Sequence, residues 1–243
     1  MDRKTCNVLG YKVDLLSFND AVRLIVENLE NSTGIQIVTI NPEMIELANK
    51  NAEFAKVLRT SDLVVPESSG IELALKLKGI SQERIPGIEL AKELIHSCSV
   101  MGYPVALIGA KEEVIQKTVS RLQAEFQALD IAYFRNGYFL PNKEEEIISN
   151  LAKAEPKFVL VALGAPKQEL FIKKCRKVLS NTVFIGVGGS FDVWAGAVER
   201  APEFFQIMRC EWLYRTIKQP ERIKRIYKTL PLFVIKAIIE AKK

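Results

Sequence analysis

The sequence is poor in the residues that metal chemistry favours. It holds one histidine, His96, which excludes His-rich metal sites and multi-histidine mechanisms. Its four cysteines (Cys6, Cys98, Cys175, Cys210) form no CxxC pair, which fits reduced thiols in the cytoplasm. No apolar run approaches the ~20 residues that a membrane-spanning helix needs. The opening segment MDRKTCNVLGYKVDLL lacks the apolar block of a signal peptide, so a cytoplasmic protein is expected. Internal repeats and low-complexity stretches are also missing. Two nucleotide signatures are absent as well. No G-x-x-x-x-G-K-[ST] loop occurs, and GVGGSF (186–191) has Phe191 where a dinucleotide fingerprint needs its third small residue. A P-loop ATPase and an NAD enzyme are therefore disfavoured.

What remains is an ordinary globular composition. At 243 residues, 48% hydrophobic and 26% charged, the chain is long enough to enclose a sizeable core. Its charge is unevenly placed. Residues 199–243 carry 11 Lys+Arg against 5 Glu, a net of +6, which leaves the first 198 residues at −1 within a total of +5. A basic, aromatic tail on a neutral body points to a polyanionic partner: phosphates, nucleic acid or an anionic membrane.

The apolar pattern alternates between two periods. A short hairpin is expected at 5–16, around Gly10-Tyr11, and a helix after Ser17-Phe18-Asn19-Asp20. Buried strands are read at IQIVTI (35–40), DLVV (62–65), YPVALIG (103–109), DIAYF (130–134), FVLVALG (158–164) and TVFIGVGG (182–189). Helices fill the intervals at about 43–58, 70–78, 87–102, 112–128, 142–154 and 167–179. Continuous apolar strands alternating with helices specify an α/β fold: a Rossmann-like parallel sheet with helices on both faces. The small hairpin precedes it. A core over 1–198 is then followed by a helical appendage over 199–243, which Pro220 and Pro231 are expected to break into three pieces.

In such a sheet the ligand sits beyond the carboxyl ends of the strands. Those ends carry Thr39–Asn41, Glu67-Ser68-Ser69-Gly70, Gly109-Ala110, Gly137-Tyr138, Gly164–Glu169 and Gly186–Asp192. Glycines let backbone N–H groups approach phosphate, and helix N-termini present positive dipole ends. Any one of these glycines is equally a turn residue; as a set they describe a nucleotide pocket. On spacing alone, Glu67 reads either as a general base or as a charge stabilising the next helix. Asn41 before Pro42 reads as a helix start. His96, beside Leu94, Ile95 and Cys98, reads as a core-edge residue, and the cysteines as small buried apolar ones.

Seven segments then carry a specific resemblance: VTINPEMI (38–45), DLVVPESSGI (62–71), ERIPGIEL (83–90), LGAPKQE (163–169), VGGSFDVWAG (187–196), ERAPEFF (199–205) and EWLYRTIKQPERIKR (211–225). In this order they resemble the WecG/TagA/CpsF family of bacterial glycosyltransferases, glycosyltransferase family 26, from about residue 10 to 228. The resemblance implies an inverting, metal-independent transfer. An N-acetylhexosamine, N-acetylmannosamine in the best-known members, moves from its UDP donor to undecaprenyl-diphosphate-linked N-acetylglucosamine for wall teichoic acid or surface polysaccharide. It implies no cofactor. Where the family usually has Pro-Asp-Gly, this chain has Pro66-Glu67-Ser68, so the implied catalytic base is Glu67, one methylene longer.

The resemblance also distributes the other roles. Thr39 and Asn41 reach the sugar or diphosphate, and Arg84 and Gln168 stabilise the departing UDP. Read from the strand ends themselves, Gly109, Gly137, Tyr138, Gly164, Gly188 and Asp192 form the nucleotide-sugar site, with Tyr138 as a stacking face and Asp192 either as an acceptor or as a cap of the following segment. The resemblance implies that Arg215, Arg222 and Arg225 grip the acceptor's diphosphate; composition by itself lets the basic, apolar tail rest on the anionic inner face of the cytoplasmic membrane, or else serve as a packing helix or subunit contact. A second copy of the chain is a further candidate partner. Two readings from other classes compete: a UDP-sugar-binding scaffold that has lost activity, and a nucleic-acid-binding protein. The latter is disfavoured because the basic excess is confined to the tail.

Overall fold

A computed structural model describes residues 3–198 and 223–242, with the backbone alone over 223–228. An antiparallel hairpin of β1 (Thr5–Val8) and β2 (Tyr11–Asp14) comes first. Its two-residue turn is Leu9-Gly10, both with positive φ (50° and 88°), so Tyr11 belongs to β2 rather than to the turn. Six strands then form one wholly parallel sheet: β3 (Gln36–Ile40), β4 (Leu63–Pro66), β5 (Val105–Gly109), β6 (Ile131–Arg135), β7 (Phe158–Ala162) and β8 (Val183–Gly186). Their order across the sheet is β4-β3-β8-β7-β5-β6. Every strand except the edge strand β6 is buried along its whole length, which is why five of them read as unbroken apolar runs.

The helices divide between the two faces. In chain order they are α1 (Phe18–Glu30), α2 (Pro42–Ala48), α3 (Ala52–Thr60), α4 (Ser69–Leu77), α5 (Gly87–Met101), α6 (Glu112–Glu125), α7 (Glu144–Lys153), α8 (Lys167–Cys175), α9 (Ser190–Trp194) and α10 (Ile223–Ala241). Helices α1, α5, α6 and α9 cover Ile37, Val65, Leu107, Leu160 and Ile185. On the opposite face, α2, α3, α4 and α10 cover Val38, Ile40 and Val64, while α7 and α8 cover Ile108, Val161 and Phe184. Adjacent strand residues thus feed opposite cores, as the two-residue period of a strand requires.

Two expectations are corrected. The single helix expected over 43–58 is two, because Asn51 turns the chain and caps α3, its Oδ1 accepting from Phe54 N at 3.0 Å; such side-chain bonds compete with helix continuation. Pro231 does not break the tail: α10 runs through it. The one backbone hydrogen bond lost there is outweighed by packing, since Phe233 and Ala237 are fully buried against α2 and α4. Polar groups also help to seat α10. Lys236 pairs with the buried Glu46 at 2.7 Å, and Glu240 meets Lys78 at 2.8 Å and accepts from Leu9 N at 3.0 Å. These polar groups face the body, whereas Leu232, Ile235, Ile238 and Ile239 face outward. Pro220 lies outside the described residues.

Candidate active site

The site is built at the carboxyl edge of adjacent strands, and β3 and β4 supply its first pair. Asn41 caps α2, its Oδ1 accepting from Met44 N at 3.0 Å. That bond settles the orientation of the amide, so Nδ2 points across to β4 and donates to Glu67 Oε2 at 2.9 Å. The helix-start reading of Asn41 holds for its Oδ1, while its Nδ2 joins the ends of the two strands. Ser68 caps α4, and the half-buried Glu67 carboxylate is met by the Asn41 amide. Thr39 is buried on the same edge, and an added Cβ on Gly87 would stand 3.0 Å from its Cγ2, so α5 begins directly against it. Ile85 N donates to Pro66 O at 2.6 Å, fastening the loop that carries Arg84 to the end of β4 next to Glu67.

At the ends of β7 and β8 the central group is Gln168, in the first turn of α8 and buried. Its Oε1 accepts from Gly164 N and from Gly188 N, each at 3.1 Å, so one carbonyl joins the turns that follow the two strands. Gly164 and Gly188 both have positive φ (73° and 51°). Gly186 has no alternative residue for a different reason: a Cβ there would lie 2.4 Å from Gln168 Nε2.

The third group, after β5 and β6, is closely stacked. Gly137 N donates to Ala110 O at 2.8 Å and Ala110 N to Ala162 O at 3.1 Å. A Cβ on Gly109 would come within 2.3 Å of Ala162 O, so glycine here permits loop-on-loop contact. Tyr138 is 74% exposed, a ring presented to solvent beside this stack. Asp192 lies in the short α9, after Gly188. Arg215 and Arg222 lie outside the described residues, and Arg225 falls in the first turn of α10 with its side chain undescribed. A cavity of about 430 Å³ is lined by Glu72, Lys76 and residues 79–83 and includes none of the strand-end residues. His96 is on the surface of α5, stacked on Phe126 at 5.7 Å. Cys98 and Cys175 are buried and Cys6 is half-buried; Cys210 is outside the described residues. Among the described residues no group of three His, Cys, Asp or Glu is placed to hold a metal ion.

One residue was misjudged from sequence. Glu169 looks like a first-turn acid favouring the α8 dipole, but it is 2% exposed. Its Oε1 accepts from Gln168 Nε2 at 2.8 Å, and its Oε2 has no hydrogen-bond partner among the described residues. Burial pushes its carboxyl up to about 7 despite the Gln168 hydrogen bond, and the Glu67 charge adds to the rise. The only sequence signal was its spacing from Ile172, three residues on along the buried side of α8. A consequence follows for stability. The neutral form is favoured in the folded state, so the stability it confers is full below the ordinary value of 4.5 and is lost as pH rises to about 7. That interval is worth on the order of 3 kcal/mol. Glu169→Gln is expected to melt several degrees above the parent at pH 8 and level with it at pH 4.5. A melting difference that does not change between the two pH values would overturn this.

Comparison with known proteins bears directly on these strand ends. The sequence model described as "Glycosyl transferase WecG/TagA/CpsF family" matches residues 6–243. A relative from Bacillus spizizenii, N-acetylglucosaminyldiphosphoundecaprenol N-acetyl-beta-D-mannosaminyltransferase, is 36% identical over 207 residues, covering 85% of this chain and 79% of its own.

Proposed function

The chain belongs to the WecG/TagA/CpsF family of glycosyltransferases, and from there we propose its reaction. It transfers N-acetylmannosamine, as the name of the Bacillus relative suggests, from a UDP-sugar to undecaprenyl-diphosphate-linked N-acetylglucosamine. The transfer inverts the anomeric carbon, requires no metal, and serves teichoic acid or surface polysaccharide synthesis. The observation that carries this reading is the Asn41 Nδ2 to Glu67 Oε2 bond, which holds a carboxylate at the end of β4 in one orientation.

Glu67 takes the proton of the acceptor hydroxyl as that oxygen bonds to the anomeric carbon. The bond from that carbon to the diphosphate breaks, and UDP departs with the electron pair. A positioned base of this kind contributes ~10²–10⁴-fold. Arg84, tethered beside Glu67 through Ile85, offers positive charge to the departing diphosphate. Thr39 borders the reacting sugar. Gln168 acts by holding the turns at Gly164 and Gly188, while Gly109, Gly137, Tyr138 and Asp192 frame the uridine.

The segment after residue 198 serves as the acceptor and membrane appendage, with Arg215, Arg222 and Arg225 on the lipid-linked diphosphate. No helix among the described residues is long and apolar enough to cross a membrane. The outward stripe of α10 instead suits an interfacial helix on an anionic surface, the inner face of the cytoplasmic membrane.

The test is to incubate the protein with UDP-N-acetylmannosamine and a synthetic lipid-diphosphate N-acetylglucosamine, and to follow UDP release and disaccharide. Product is expected, and it persists in excess EDTA because arginine rather than a metal ion meets the leaving group. Absence of product with any UDP-N-acetylhexosamine would overturn the reaction. Strict dependence on Mg²⁺ or Mn²⁺ would overturn the metal-free mechanism alone.

A further inference from the structure

We infer that Glu169 is a positioning residue for donor binding, the anchor of a buried brace that shapes the two glycine turns at the centre of the site. The inference rests on the donor-site reading above. Its elements are four hydrogen-bonding groups in series. Glu169 Oε1 accepts from Gln168 Nε2 at 2.8 Å; Gln168 Oε1 accepts from Gly164 N and from Gly188 N at 3.1 Å each. Two N–H donors on one carbonyl oxygen fix which end of the amide is which, and the acceptor at the other end is Glu169.

The geometry leaves Gln168 no slack. Its amide is pressed against the backbone of Gly186, where even a methyl group would collide at 2.4 Å. Gln36 Nε2, from β3, reaches the Glu169 backbone carbonyl at 3.4 Å, tying the same turn of α8 to the neighbouring strand. Without Glu169, Gln168 Nε2 would be a buried donor with nothing to bond. Orphaning a buried donor is unfavourable enough to make a side chain turn away. The carbonyl would leave with it, and the turns at Gly164 and Gly188 would lose their common acceptor.

A residue serving only the fold would be expected to satisfy both its oxygens. Glu169 instead stays buried with Oε2 unpaired among the described residues, and burial raises its pKa toward neutrality. That arrangement sacrifices stability to hold an amide in place, which is common at functional sites. The Gln168 amide holds the turns that follow β7 and β8, and β8 is the direct neighbour of β3, the strand that leads into Asn41.

The experiment compares Glu169→Leu, Glu169→Ala and Glu169→Gln by two readouts. Hydrogen exchange at the Gly164 and Gly188 amides reports the brace and needs no substrate. UDP affinity by calorimetry reports its consequence. In E169L and E169A both amides are expected to exchange at least tenfold faster, and UDP to bind at least tenfold more weakly. E169Q keeps an oxygen in the Oε1 position, so it should restore amide protection and bring UDP affinity to within about threefold of the parent. The alanine variant covers the case in which leucine prevents folding. Unchanged amide protection in E169L and E169A would overturn the brace. Loosened turns with unchanged UDP affinity would confine Glu169 to the fold and overturn its positioning role. A parent that binds UDP but transfers no sugar would count against the proposed reaction, while these two readouts still decide the brace.

Discussion

Replacing Glu67 with glutamine should lower sugar transfer by ~10²–10⁴-fold while UDP affinity stays within a few-fold of the parent. The substitution preserves shape and removes only the ability to take a proton. Glu67→Asp keeps a carboxylate and is expected to retain more activity than the glutamine variant. Asn41 separates orientation from chemistry. Serine caps a helix nearly as well as asparagine but has no amide to reach across to β4. Asn41→Ser is therefore expected to hold the melting temperature within a few degrees, since the Met44 N–H is still met, yet to lower turnover about tenfold as the Glu67 carboxylate loses its guide. Steady-state kinetics with the lipid-linked acceptor, beside thermal melts, checks both. Turnover of the Glu67→Gln variant within about tenfold of the parent would exclude Glu67 as the base.

The second large effect is expected at the membrane. Ile235 and Ile239 are 55% and 53% exposed, one turn apart on the outward face of α10. Changing both to glutamate touches none of the contacts that seat the helix: Phe233 and Ala237 remain buried, and Lys236 and Glu240 keep Glu46 and Lys78. Each isoleucine withdrawn from an apolar interface forfeits about 1.5–3 kcal/mol. The double variant should therefore partition onto anionic liposomes on the order of a hundredfold less, with unchanged melting. Sedimentation with phosphatidylglycerol vesicles reads this, and equal binding by parent and variant would remove α10 from the membrane role. Point substitution is a better test than deleting residues 199–243, because that deletion also strips Phe233 from the core shared with α2 and α4.

Much of this arrangement was legible in the residues themselves. A strand buried on both faces must be apolar at every position, so β3, β4, β5, β7 and β8 stand out as continuous runs. Parallel strands need crossover helices, which the spacing supplies, and the polar and glycine residues left at each strand end mark the ligand edge. Asn41, Glu67 and Gln168 were visible for that reason: each follows an apolar run that it cannot extend.

Other features depend on groups that are distant in the chain. Glu169 is polar and lies in a helix first turn, where an acid ordinarily stays in solvent; only the packing of α8 against its neighbours buries it. Lys236 and Glu240 look like the solvated side of an amphipathic tail until Glu46, Lys78 and Leu9, more than 160 residues earlier, prove to be their partners. Pro231 stops a helix only where nothing else holds it, and Phe233 seated between α2 and α4 does. The sequence by itself determined the parallel sheet and the polar and glycine residues at its carboxyl edge, because hydrophobic period and turn chemistry are local. Tertiary structure alone decided which polar groups are buried and which face of the last helix meets solvent, because those depend on contacts between elements far apart in the chain.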